Sequence, residues 1–331
     1  MCEGFAHGLT AAFTGYWNLV GFNLAGSSQH QSIAGYGSGY MANVNANFCI
    51  TPTLTAGEQW LYLAWHSNSI GPSDAKYIAN FRLSGVDQVT VETNSSGFIV
   101  VRRGAPFSGT ILATSATAVS SGVWHWFWID CVADTVAGRV RVYLDGNSTP
   151  VVDTGITNTA GSGSAGWNQI RWLYYLFLAD IATFTDAEKT ALFGATFPEI
   201  YIPGVVPTSD DTNTFVSGGF AQVDEIPWST ADTANANAVG QELILGGSGL
   251  SWTPPAVYFA ANTWYQERDG TVTSMASRLK SGAANVTSAA VASTAITQFS
   301  ERQVFYPQNP DGPANWTWAT FTAAKFGVIT T

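Results

Sequence analysis

Between Trp124 and Gly155 the apolar residues fall on every second position, and that spacing commits the segment to paired strands. Phe127, Ile129 and Cys131 share one face; after the polar loop Ala133–Gly138, Val140, Val142 and Leu144 repeat the alternation. A one-residue slip would move the whole apolar set to the opposite face, so the register is fixed wherever one face is buried. Asp145-Gly146, two residue types that tolerate positive φ, then closes a tight turn.

The same rhythm runs through much of the chain. Leu61, Leu63 and Trp65 share a face against Tyr62 and Ala64, and the segments Tyr77 to Leu83, Gln88 to Glu92 and Phe98 to Arg102 continue it, separated by turn residues. One further apolar strand is predicted from Gln169 to Phe184. Thr185, followed three residues later by Glu188, reads as a capping box for a single short helix through Lys189 to Phe193, with Gly194 as its stop. Pro198, Pro203 and Pro207 followed by polar Ser209 to Thr214 read as a linker. Beyond it, strands are expected at Phe215 to Val223, Gln241 to Leu245, Val257 to Glu267 and Thr271 to Leu279, the last two meeting at an Asp269-Gly270 turn. Ala283 to Thr297 reads equally as strand or loop. Phe13 to Leu24 and the glycine-rich Gly35–Tyr40 stretch read either as an arm lying on a neighbouring subunit or as the first strand of the sandwich. The expected fold class is all-β: an antiparallel sandwich over 1–200 with an N-terminal arm, then a smaller β-sandwich over 201–331.

Composition limits function. The 331 residues carry a net charge of -10 with 11% charged and 46% hydrophobic residues. An acidic chain without a basic stripe is a poor partner for nucleic acid or anionic membranes. So little charge implies that other subunits cover part of the surface. Cys2, Cys49 and Cys131 are odd in number and lack metal-knuckle spacing, so they read as small buried hydrophobes. The start Met1-Cys2-Glu3-Gly4 has no basic leader and no stretch has the length of a membrane span, which implies synthesis in a host cytoplasm and no membrane insertion.

Catalytic motifs do not assemble. Gly161-Ser162-Gly163-Ser164-Ala165-Gly166 satisfies G-x-G-x-x-G, yet a strand rather than a helix follows it, which leaves a loop. Glycosidases need two carboxylates on one face; Asp224 and Glu225 are adjacent, and the odd spacing of Asp87 and Glu92 places them on opposite faces. His7, His30, His66 and His125 show no zinc spacing, His125 reads as structural, and no serine has an evident base. No enzymatic activity is expected. Sugars stack on aromatics and accept forks from amide and guanidinium groups, which nominates Trp65, Tyr77, Asn80, Arg82 and Trp167 for carbohydrate binding. Asp74, Asp145 and Asp153 are the candidates for calcium, the one cofactor considered.

The run WHWFWIDCVADTVAGRVRVYLDG, followed by DTG, and the later YLFLADIATFTDAEKTALF resemble the final strands of concanavalin A-like (laminin-G-like) lectin and glucanase domains, over about residues 40–200. That resemblance implies a jelly-roll sandwich and leaves lectin, hydrolase and structural roles open. The C-terminal run NPDGPANWTWATFTAAKFGVITT, with Gln222-Val223-Asp224-Glu225, resembles the C-terminal sandwich domains of tailed-bacteriophage virion proteins, carried by Asn309-Pro310-Asp311-Gly312, Trp316-Thr317 and Gly327-Val328. Together these imply a structural protein on the virion surface, a decoration, fibre, spike or minor tail protein. It would act by assembly, with a homotrimer preferred, and by binding host glycans. A polysaccharide-degrading hydrolase or lyase, or a ligand-free capsid cement protein, are the alternatives.

Overall fold

The computed structural model describes short backbone stretches within residues 2–50, and residues 54, 57–67, 76–173, 176–200, 207–219, 221, 234–247, 256–266, 272–292, 300–312 and 315–331. The chain divides into two compact units, Met1–Ile202 and Pro203–Thr331.

The first unit contains β1 (Cys2–Glu3), β2 (Asn18–Val20), β3 (His30–Gln31), β4 (Met41–Val44), β5 (Phe48–Ile50), β6 (Trp60–His66), β7 (Lys76–Leu83), β8 (Val86–Thr93), β9 (Phe98–Arg103), β10 (Thr110–Ala118), β11 (Trp124–Val132), β12 (Arg139–Leu144), β13 (Val152–Asp153), β14 (Gln169–Leu173), β15 (Leu176–Phe184) and the helix α1 (Asp186–Phe193). They form two antiparallel sheets. Sheet I runs β13-β12-β11-β6-β15-β4-β3, with β1 paired to β15; sheet II runs β10-β9-β8-β7-β14-β5-β2. Their facing sides supply one core: Leu61, Leu63, Trp65, Phe127 and Ile129 from sheet I meet Phe81, Val89, Val91, Val101 and Trp172 from sheet II. The unit is a β-sandwich, as the alternation predicts.

The hairpin holds the expected register, Ile129 opposite Val142 and Cys131 opposite Val140. Its Asp145-Gly146 turn has φ of 51° and 80°, the two left-handed positions that this pair of residues tolerates. The capping box is present in full, Thr185 accepting from the Glu188 N–H and Glu188 from the Thr185 N–H. The short strands β1 and β2 pair inside the two sheets, so these parts of the N-terminal region belong to the sandwich; Gly35–Tyr40 lies outside the described residues.

The sequence reading is corrected at several points. The apolar run Gln169 to Phe184 is two strands: β14 belongs to sheet II and β15 to sheet I, because the chain changes layer between them. An additional strand, β10, forms the edge of sheet II, where half-exposed Thr and Ala residues suffice because only one neighbour must be matched. The C-terminal part of the expected linker is a strand, β16 (Pro207–Asn213), in the second unit, where an edge position accepts a leading proline and a polar sequence; residues 201–206 lie outside the described residues.

The second unit adds β17 (Glu242–Gly247), β18 (Ala260–Gln266), β19 (Ser274–Ser281), β20 (Ala284–Thr287), β21 (Val291–Ala292), β22 (Ser300–Tyr306), the helix α2 (Trp318–Ala323) and β23 (Lys325–Thr330). One sheet runs β16-β17-β23-β19-β20 with β21 on β19, and β18 pairs with β22 in a second. Among the described residues β18 pairs along its length with β22 and not, as expected, with β19; the Asp269-Gly270 turn lies outside them. Leu279, Tyr306 and Trp316 pack between these layers. Ser277 ties them through the Asn262 amide at 2.7 Å and the Tyr306 hydroxyl at 2.8 Å. Gly327 is required where it stands, since a Cβ there would collide with the Leu243 backbone.

Candidate functional site

The outer surfaces of the two sheets have different chemistry. On sheet I, Trp60, Trp128, Tyr143 and Phe184 point away from the core and are covered by α1 and the segment after it, which contributes Phe193 and Phe197. The Lys189 ammonium is sealed within this layer, 4.0 Å from the Phe197 ring centroid and 4.9 Å from Trp60, and donates to the Gly194 carbonyl at 2.6 Å. Burial pulls its pKa below the usual lysine range, against the opposing pull of Asp186 and Asp130.

On sheet II the residues that alternate with the core are polar. Arg171 of β14 lies opposite Asn80 of β7, Asn80 opposite Thr90 of β8, and Thr90 opposite Arg102 of β9, a row across four strands. Arg171 Nε donates to Asn80 Oδ1 at 3.1 Å, Asn80 Nδ2 donates to Thr90 Oγ1 at 2.9 Å, and the Thr90 hydroxyl donates to the Gly104 carbonyl at 2.8 Å. Two carboxylates brace the guanidinium groups. Asp87 accepts from Arg82 Nε at 2.9 Å and from Arg171 Nη2 at 3.1 Å on each oxygen. Glu92 accepts from Arg102 Nε at 2.6 Å and from the Phe107 N–H at 2.9 Å. Asn80, Thr90 and Glu92 are buried, whereas Arg82, Arg102, Arg171 and Asp87 keep 14–19% of their side chains exposed. The buried members fix the charged ones that solvent reaches.

The sequence places Asp87 and Glu92 on opposite faces, and the structure corrects this. Phe81 pairs with Val89 but Arg82 pairs with Asp87, so Gln88 is an extra residue in β8. This bulge turns Asp87 onto the same face as Glu92. Both carboxylates are engaged as hydrogen-bond acceptors, which suits positioning of guanidinium groups. The Gly161–Gly166 segment is an exposed loop with no helix after it, closely packed at its first residues: a Cβ at Gly161 would collide with the backbone of Asp87 and Gly104, and Ser162 pairs with Gln88.

At the edge of the row stands Phe107, a residue the sequence did not single out. It is 43% exposed and has φ of 57°, a left-handed conformation that costs a non-glycine residue about 1–3 kcal/mol. Its N–H on Glu92 and an edge contact of 4.9 Å with the Tyr77 ring hold it there. The only sequence cue is its position inside the turn-rich Gly104–Gly109 run.

Of the residues nominated for sugar binding, Asn80 belongs to this row and Arg82 joins it through Asp87. Trp65 and Trp167 do not: both are core, their indole N–H groups donating to the carbonyls of Tyr77 and Cys131 at 2.9 Å. Tyr77 is 1% exposed beneath Phe107, so no face remains for stacking. Among the calcium candidates, Asp74 lies outside the described residues. Asp145 accepts from the Trp126 N–H at 3.0 Å and lies 2.7 Å from His125 Nδ1, while Asp153 is taken by Arg141 and the Gly155 N–H. Among the described residues no group of three His, Cys, Asp or Glu is placed to hold a metal. Cys131 is buried and burial pushes its thiol pKa up, as expected of a core cysteine. No helix among the described residues is long and apolar enough to cross a membrane.

No family model matches the sequence, and no curated protein matches it. Solved structures align with about half of the chain. A carbohydrate binding module, CBM66 from Bacillus subtilis, is 10% identical with a TM-score of 0.34, covering 50% of this chain and 91% of that one. The cellulose induced protein Cip1 is 12% identical with a TM-score of 0.41, covering 56% and 97%. The sialidase of Trypanosoma rangeli is 11% identical with a TM-score of 0.33, covering 47% of this chain and 26% of that one. At such identities and scores no ligand or activity passes from those proteins to this chain, whose own architecture is an all-β sandwich followed by a smaller layered β unit.

Proposed function

We propose that this chain is a glycan-binding structural protein of a tailed-phage or prophage particle, and that the outer face of sheet II is its recognition surface. The observation that carries the binding reading is Phe107, an exposed aromatic held in a strained conformation beside a braced row of guanidinium groups. An aromatic face stacks on the apolar side of a sugar ring, and fixed N–H donors meet its hydroxyls with little ordering cost. Arg82, Arg102 and Arg171 are the donors with exposed surface; Asn80, Thr90 and Glu92 are positioning residues.

The particle role rests on the C-terminal resemblance and on the sparse charge, which favours burial against sister copies in an oligomer, a trimer in the simplest case. A glycan array of host capsule and lipopolysaccharide fragments tests recognition: the wild type binds a defined subset, and Arg102→Ala/Arg171→Ala loses it. Binding unchanged in that variant overturns the assignment of the face. Electron microscopy of particles carrying a labelled chain tests the location, and particles without label overturn the virion role.

A further inference from the structure

We propose that Ser120, His125 and Asp145 form a second, chemically active site that cleaves carboxylic esters of small acyl groups. The three residues meet at one rim of the sandwich. Ser120 Oγ lies 3.1 Å from His125 Nε2, and His125 Nδ1 lies 2.7 Å from Asp145 Oδ2. This is the nucleophile, base and orienting carboxylate in the required connectivity, recognised by roles and distances rather than by sequence order.

Each member is fixed for a local reason. His125 is 7% exposed at the start of β11, with its ring 6.4 Å from that of Trp65. Asp145 is set by the tight turn after β12, and its second oxygen accepts from the Trp126 N–H at 3.0 Å, so the carboxylate is fixed when it meets the imidazole. The Ser120 carbonyl lies 3.2 Å from His125 Nε2. A protonated ring would therefore be held on both nitrogens, by Asp145 on one side and by Ser120 on the other. Ser120 to Val123 are exposed, so an acyl carbon reaches the hydroxyl from solvent.

In the reaction, Ser120 Oγ attacks the ester carbonyl and its proton passes to His125. The carbon–oxygen bond to the alcohol breaks, and the alcohol leaves with that proton. Water, deprotonated by the same imidazole, then releases the carboxylic acid and restores the serine. This activity is independent of glycan binding on the outer face of sheet II.

The test uses the full chain and a fluorophosphonate, which forms a phosphorus–oxygen bond to an activated serine with loss of fluoride. The expected result is a single adduct mapped to Ser120, absent in Ser120→Ala and retained in Ser121→Ala. The wild type should also hydrolyse p-nitrophenyl acetate, and His125→Gln should lower that rate by about 100-fold or more. His125→Gln and Ser120→Ala should both keep the wild-type circular dichroism spectrum. No adduct on the wild type, or an adduct that Ser120→Ala retains, overturns the proposal.

Discussion

The two outer faces of the sandwich obey the same alternation and have opposite chemistry. Sheet I turns Trp60, Trp128, Tyr143 and Phe184 outward and closes them under α1, so that this face has become a second core. Sheet II turns Arg171, Asn80, Thr90 and Arg102 outward and braces them with Asp87 and Glu92. Alternation decides which residues leave the core. What then covers them decides whether a face stabilises the fold or meets a ligand.

The difference can be broken at its strongest point first. Trp128 is fully buried and contacts Tyr62, Phe184, Phe193 and Phe197, so Trp128→Ala should cost about 3–5 kcal/mol, read from denaturant unfolding. A loss below about 1 kcal/mol would mean that the aromatic cover is not a second core.

On the polar face, Glu92→Gln should cost about 1–3 kcal/mol, because a neutral amide weakens the acceptor for Arg102 and for the Phe107 N–H. The same variant should weaken glycan binding by loosening Phe107. Phe107→Gly separates stability from recognition: it removes the aromatic platform and should abolish binding, while relief of the left-handed backbone raises stability by up to about 1 kcal/mol. A stability loss with binding intact would make Phe107 a packing residue.

The smallest effect is a pH dependence on the aromatic face. Burial lowers the pKa of Lys189 in the folded chain, so the unfolded chain binds more protons between that value and the usual lysine value. The contribution of Lys189 to stability must therefore rise as pH rises through that window. The stability of the wild type relative to Lys189→Met should increase as pH rises toward about 10.4, the usual lysine value. A difference that stays flat would show that the ammonium pays no burial penalty there.

Much of the fold was legible because it depends on local rules. The hairpin register from Phe127 to Leu144, the turn at Asp145-Gly146 and the Thr185–Glu188 box all follow from period, turn chemistry and capping. The candidate site was only half legible. Asn80 and Arg82 could be chosen as polar residues on a strand, but one bulge at Gln88 decides the face that Asp87 occupies, and a bulge has no period. Trp65 and Trp167 could not be told from surface tryptophans, since aromatic residues occupy both faces of β6 and Trp167 precedes β14 outside any strand period. Phe107 is a functional candidate because of its backbone angle, and Ser120 because a hairpin end brings Asp145 to His125.

Residue-by-residue NMR mapping with an oligosaccharide selected from the array tests the contrast between the faces most directly. The account requires amide shifts at Asn80, Thr90, Arg102, Phe107 and Arg171, with Trp128, Tyr143 and Phe193 unmoved. Shifts confined to the aromatic side of sheet I, or to the second unit, would contradict it.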